Sequence, residues 1–69
     1  MLPFEYIEYD DIYVGVVYNS EHNHIKYYND KNGFLIGWYD SKKNETISRD
    51  GNFVISGDHL EIFWKNKGE

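Results

Sequence analysis

The sequence predicts an all-β chain: a single small domain over residues 1–69, with an antiparallel meander forming a curled sheet or small barrel. Three observations carry this. Short apolar runs rich in Tyr, Ile, Val and Phe alternate with clusters of Asn, Asp, Gly and Ser, the pattern of strands between tight turns. Alanine and glutamine are absent and proline occurs once, a composition that lacks the best helix former. Glycines interrupt two of the strand-like runs, Gly15 and Gly37, and glycine inside a strand marks a bulge or a sharp bend.

Phe4–Tyr9 alternates imperfectly, with Phe4, Tyr6 and Glu8 on one face and Glu5, Ile7 and Tyr9 on the other. It reads as an edge strand. A helical turn starting at Pro3 is the alternative, disfavoured because Asp10 and Asp11 would sit at a helix C-terminus. Ile12–Tyr18 is a clearer strand, with Ile12, Val14, Val16 and Tyr18 on one face and Tyr13, Gly15 and Val17 on the other. Residues 19–23 form a turn by composition, and His24–Tyr28 follows as a half-exposed strand. Asn32-Gly33 closes the next turn.

Phe34–Tyr39 is the most apolar run and is expected to be a buried central strand. Glu45–Arg49 is a short polar strand. Asp50-Gly51 then has the chemistry of a two-residue hairpin, returning through Phe53–Ser56. After a turn at Ser56-Gly57-Asp58, His59–Trp64 alternates as a last strand, Leu60, Ile62 and Trp64 inward, and residues 65–69 form a tail. Six or seven such strands, with two internal glycines, point to a strongly curled sheet or a closed barrel, SH3-like or OB-like in size.

The 69 residues contain no cysteine, so neither a disulfide nor a Cys-type zinc site supports so small a core. Aromatic residues, 19% of the chain, must supply its volume. No run is long and apolar enough to span a membrane, and Met1–Glu5 lacks the features of a signal peptide, so the expected location is the cytoplasm of the producing or a host cell. The bias toward Asn, Lys, Tyr, Ile and Phe, whose codons are A/T-rich, points to an AT-rich bacterial or phage genome.

The net charge of −5 is unevenly placed. Glu5, Glu8, Asp10, Asp11 and Glu21 lie in the first 24 residues without a single Lys or Arg, whereas the remainder balances seven acids against seven bases. Charge segregated in this way marks where a charged partner docks.

Catalytic and metal constellations are thin. His22 and His24 have the spacing of two ligands on one strand face, with Glu21 beside them and His59 elsewhere, but surface histidines on a turn have the same spacing. No glycine-flanked nucleophile is present, and Asp10-Asp11, as strand neighbours, would point apart. Asn44-Glu45-Thr46 matches a glycosylation acceptor, which an unexported chain would not use. The expectation is a non-enzyme with no cofactor and no metal site.

Three functional readings remain. The first is a non-catalytic protein-binding module, of the kind a small acidic phage- or plasmid-type inhibitor represents, that occupies a basic, nucleic-acid-binding site on a protein partner. Its contact residues would be Glu5, Tyr6, Glu8, Tyr9, Asp10, Asp11, Tyr13 and Glu21, since tyrosine offers large, rigid contact area at low entropic cost. The second is an oligonucleotide-binding barrel using Tyr27, Tyr28, Trp38 and Tyr39 with Lys26, Lys31, Lys42 and Lys43. Net negative charge and a lone arginine oppose it. The third is a homodimer or structural subunit formed by edge-strand pairing.

Overall fold

The structure is a computed structural model that describes residues 4–20, 22 and 24–65. Six strands, β1 (Phe4–Tyr9), β2 (Ile12–Ser20), β3 (Ile25–Asp30), β4 (Leu35–Asp40), β5 (Glu45–Ser48) and β6 (Val54–Ser56), are followed by one helical turn, α1 (Ile62–Lys65). The strands form one antiparallel meander in the order β1-β2-β3-β4-β5-β6. The all-β expectation holds, and Phe4–Tyr9 is an edge strand. Leu35–Tyr39 of the apolar run fall in β4, an interior strand flanked by β3 and β5, but the strand is half-buried rather than buried, and Phe34 lies outside it at 64% exposure.

Closure does not occur. β1 and β6 are the two separate edges of an open sheet, neither closed nor strongly curled, and the molecule measures 32 × 30 × 18 Å. The two glycines do sit at bulges, Gly15 beside Val14 and Gly37 beside Ile36, but the bulges do not curl the sheet. At Gly15 (φ 151°) the β1–β2 register slips: Ile7 pairs with Gly15 but Glu8 pairs with Tyr13, leaving Val14 as the extra residue of a bulge. The Val14 carbonyl accepts a 2.7 Å hydrogen bond from the Tyr28 hydroxyl, which gives this bulge oxygen a partner. Gly37 makes room for an aromatic ring. A Cβ there would lie 2.5 Å from the Phe63 ring and 2.8 Å from the Ile47 carbonyl oxygen.

The expected seventh strand is also absent. His59–Trp64 leaves the sheet and lies across one of its faces, ending in α1. The run satisfies two periods at once: 60, 62, 64 for a strand and 60, 63, 64 for a helix, an ambiguity inherent to short apolar runs. Burial decides between them, because the sheet face needs cover. Leu60 is 3% exposed, and with Val17 and Tyr28 it forms the buried core, flanked by Ile7, Ile36, Tyr39, Phe63 and Trp64. The Tyr28 ring stacks parallel to Phe63 at 6.4 Å and meets Trp64 at 5.0 Å.

Thr46, in the strand that reads as polar, is the most buried side chain, at 0% exposure. Its hydroxyl donates to the Gly57 carbonyl at 2.6 Å and accepts from the His59 amide at 2.9 Å. These two bonds fasten the crossing segment to β5. Lys26 of β3 adds an ion pair to Asp58.

The turns explain the meander. Asp10 and Asp11 both have positive φ, 60° and 66°, between paired Tyr9 and Ile12. This is a two-residue type I′ hairpin, whose twist matches that of the strands and whose conformation Asp tolerates. Asp50-Gly51, expected to be such a hairpin, is instead part of a four-residue loop: only Gly51 has positive φ, and the Ser48 amide bonds the Phe53 carbonyl. The Asp50 carboxylate accepts from the Ser48 hydroxyl and the Asn52 amide. The Ser48 bond first, and then Asn52, hold its pKa below the usual carboxylate value. The expected tail at 66–69 lies outside the described residues.

Candidate protein-binding surface

Alternation along each strand, combined with the register between strands, sorts the side chains into two faces. Val17, Tyr28 and Thr46 point to the side crossed by residues 57–65. Phe4 pairs with Tyr18, Tyr18 with Tyr27, Tyr27 with Trp38, Trp38 with Ile47, and Ile47 with Val54. Directly paired residues share a face, so these six form one apolar row across all six strands, on the side away from the helix. Tyr18 and Tyr27 stack at 5.2 Å with 28° between their planes. Val54 is 52% exposed, and no described element of the chain lies over this open face.

The residues expected to bind a partner are divided by the fold. Phe4, Tyr6 and Tyr13 are linked edge to face, with ring centroids 5.5 and 6.1 Å apart. Tyr13 reaches that cluster because the bulge at Val14 switches it to the face of its partner Glu8. Tyr6 is 68% exposed. Glu8, Tyr9, Asp10 and Asp11 are exposed at the hairpin end. Glu5 points the other way, into a groove shared with Lys26, Asp58 and Trp64, where Lys26 is already paired with Asp58. Glu21 lies outside the described residues. Asp10 and Asp11 are turn residues, not strand neighbours as their sequence position implies.

The lysine-aromatic set is divided further. Tyr27 and Trp38 lie side by side on the open face, but Tyr28 is buried in the core at 2% exposure. Tyr39 donates to Asn44 Oδ1 at 2.8 Å, and the Lys26 ammonium sits 5.8 Å from the centre of its ring. Lys31, Lys42 and Lys43 are in loops. The charged residues at strand positions of the open face are Glu8, Asp40 and Glu45, all acidic. Lys26, the base that does occupy a strand position, belongs to the opposite face.

Burial, and then the nearby Asp30 and Tyr13, push the Tyr28 hydroxyl above its ordinary pKa, consistent with a neutral donor to Val14. His22 and His24 are exposed, His24 with a φ of 59°. His59 Nδ1 lies 3.6 Å from Glu61. Among the described residues no three metal-ligating side chains gather.

Sequence reasoning missed the apolar row. Tyr18, Ile47 and Val54 are unremarkable within their own strands, and only the register aligns them. No protein-family model matches the chain, and searches of curated proteins and of solved structures return no similar chain.

Proposed function

We propose that the chain is a non-catalytic protein-binding module, and that the end of the β1–β2 hairpin docks onto a basic site of a protein partner. One observation carries the reading: Glu8, Asp10 and Asp11 cluster with exposed Tyr6, Tyr9 and Tyr13 around a type I′ turn, on a hairpin that holds no base. Carboxylates at the tip steer a cationic partner, and the tyrosines supply contact area that needs little ordering on binding. The hairpin is rigidly set, because the bulge that aims Tyr13 is tied to the core through Tyr28. A small acidic inhibitor that occupies a nucleic-acid-binding site in the cytoplasm fits this description.

The test separates charge from fold. Asp10→Asn with Asp11→Gly installs the preferred type I′ pair and removes two charges, and Glu8→Gln removes a third. Immobilised wild-type chain in a bacterial lysate is expected to retain a basic protein that elutes with salt, and the triple variant to lose it while its circular dichroism is unchanged. Equal retention by both would remove the hairpin from the interface.

The oligonucleotide reading gains one point, the adjacency of Tyr18, Tyr27 and Trp38 as a stacking platform. The absence of any base from that face's strand positions opposes it. Tryptophan emission unchanged by single-stranded oligonucleotides at low salt would remove it.

A further inference from the structure

We propose that two copies of this chain associate face to face through the open side of the sheet, the row Phe4-Tyr18-Tyr27-Trp38-Ile47-Val54 of one copy packing on the same row of the other. This rests on the row and not on the charges of the acidic hairpin, whose Tyr6 and Tyr13 lie on the same face; the mass of the chain alone tests the dimer, and loss of the basic partner in the hairpin variant tests the other reading.

The first argument is area. Viewed along its 18 Å axis, the molecule fits a 32 × 30 Å rectangle, at most about 960 Å², which leaves room for the roughly 800 Å² per partner that a stable protein interface buries. Within that outline Phe4, Tyr18 and Val54 are 40%, 38% and 52% exposed, while Tyr27, Trp38 and Ile47 are half-buried. The second argument is the core. The covered side buries three hydrophobic residues, Val17, Tyr28 and Leu60, and an antiparallel sheet with so thin a cover on one side gains most by covering the other. The third is charge. Glu8, Asp40 and Glu45 lie toward the strand ends next to turns, leaving the row free of charge and the carboxylates at the margin of the joint surface, the usual anatomy of an interface.

Packing selects the orientation. Turning the second copy about an axis along the strands sets β1 over β6 of the other copy, so that Phe4 meets Val54, Tyr18 meets Ile47 and Tyr27 meets Trp38. Large residues then face small ones at both edges, and the layers keep the even separation of about 10 Å found in stacked sheets. Turning it about the row instead sets Trp38 on Trp38 and Val54 on Val54. The gap would be overfilled at β4 and empty at β6.

Sedimentation equilibrium of the full chain over a concentration series gives the first result. The expected mass is twice 8.3 kDa, and 8.3 kDa at every concentration overturns the proposal. The chain has no cysteine, so introduced thiols report geometry cleanly. Phe4→Cys chains mixed with Val54→Cys chains are expected to be joined by a short bismaleimide, since facing Cα atoms in sheets stacked about 10 Å apart are too distant for a direct disulfide. Cross-linking of Val54→Cys only with itself overturns the orientation. Tyr18→Glu, on a residue already 38% exposed, places an unpaired carboxylate in the joint core. It is expected to weaken association at least about a hundredfold with the strand content unchanged, and dimerisation at wild-type strength would overturn the proposal. A monomer whose Trp38 responds to an oligonucleotide, or to an added basic protein, would assign the face to another occupant and also overturn it.

Discussion

Thr46→Val is the sharpest test of how the single-layer sheet is held. The substitution keeps the shape of a side chain that is 0% exposed and replaces its hydroxyl oxygen with a methyl carbon. That oxygen donates to Gly57 and accepts from His59, so its loss leaves a carbonyl and an amide without partners beneath the crossing segment. Each net hydrogen bond contributes about 0.5–1.5 kcal/mol, and a buried group left unpaired adds to the loss. The expected destabilisation is about 2–3 kcal/mol. A chain of 69 residues has a total stability of roughly 3–10 kcal/mol at the usual value per residue. The loss is therefore a large share of the whole, and corresponds to a melting temperature lower by about 10–20 °C. Thr46→Ser is the control. It keeps the hydroxyl and removes one methyl, costing about 1 kcal/mol. Urea unfolding at one fixed protein concentration, followed by tryptophan emission, measures both. Val must be the more damaging substitution. If Thr46→Val were as stable as Thr46→Ser, the two bonds would not be what fastens residues 57–59 to β5.

Four further outcomes follow from the same contacts. Gly37→Ala places a methyl 2.5 Å from the Phe63 ring and is expected to cost about 1–3 kcal/mol by overpacking, outweighing the usual gain from replacing a strand glycine; thermal unfolding checks it. Asp10→Asn with Asp11→Gly is expected to raise stability by about 1 kcal/mol, because both positions sit at positive φ; a destabilised double variant would refute the type I′ assignment. The Tyr28 pKa is raised above its unfolded value of 10.0, so the folded state holds this proton more tightly. Its contribution is complete below pH 10 and is lost as pH rises through the folded value. Stability curves of wild type and Tyr28→Phe are therefore expected to converge in alkali, and parallel curves would refute the shift. Asp50 runs the opposite way. Its pKa is lowered by Ser48 and Asn52, so its contribution is present above the ordinary carboxylate range and is lost as pH falls through the folded value. The gap between wild type and Asp50→Ala should close in acid, and a gap independent of pH would remove the carboxylate from the turn's stability.

Strand identity was written in the sequence because it is a local property. β-branched and aromatic runs between Asn, Asp and Gly clusters specify extended backbone and tight turns whatever surrounds them, and β1 to β6 all fall on runs that read as strands. The charge of the first third was equally legible. What sequence alone left undecided depends on partners distant along the chain. Leu60, Phe63 and Trp64 satisfy strand and helix periods alike, and only the need to cover Val17 and Tyr28 chose the helical turn. Gly37 read as a bulge or bend, and a bulge does sit beside it, but only the fold placed Phe63 above it. Thr46 belonged to a strand that read simply as polar, and only the fold closed Gly57 and His59 over its hydroxyl. The row from Phe4 to Val54 exists only through five pairings between strands, and a slip of one residue in any of them would turn part of it to the other face. Alternation within a strand says that two faces exist. The register between strands and the path of residues 57–65 decide which face is core and which is left open to a partner.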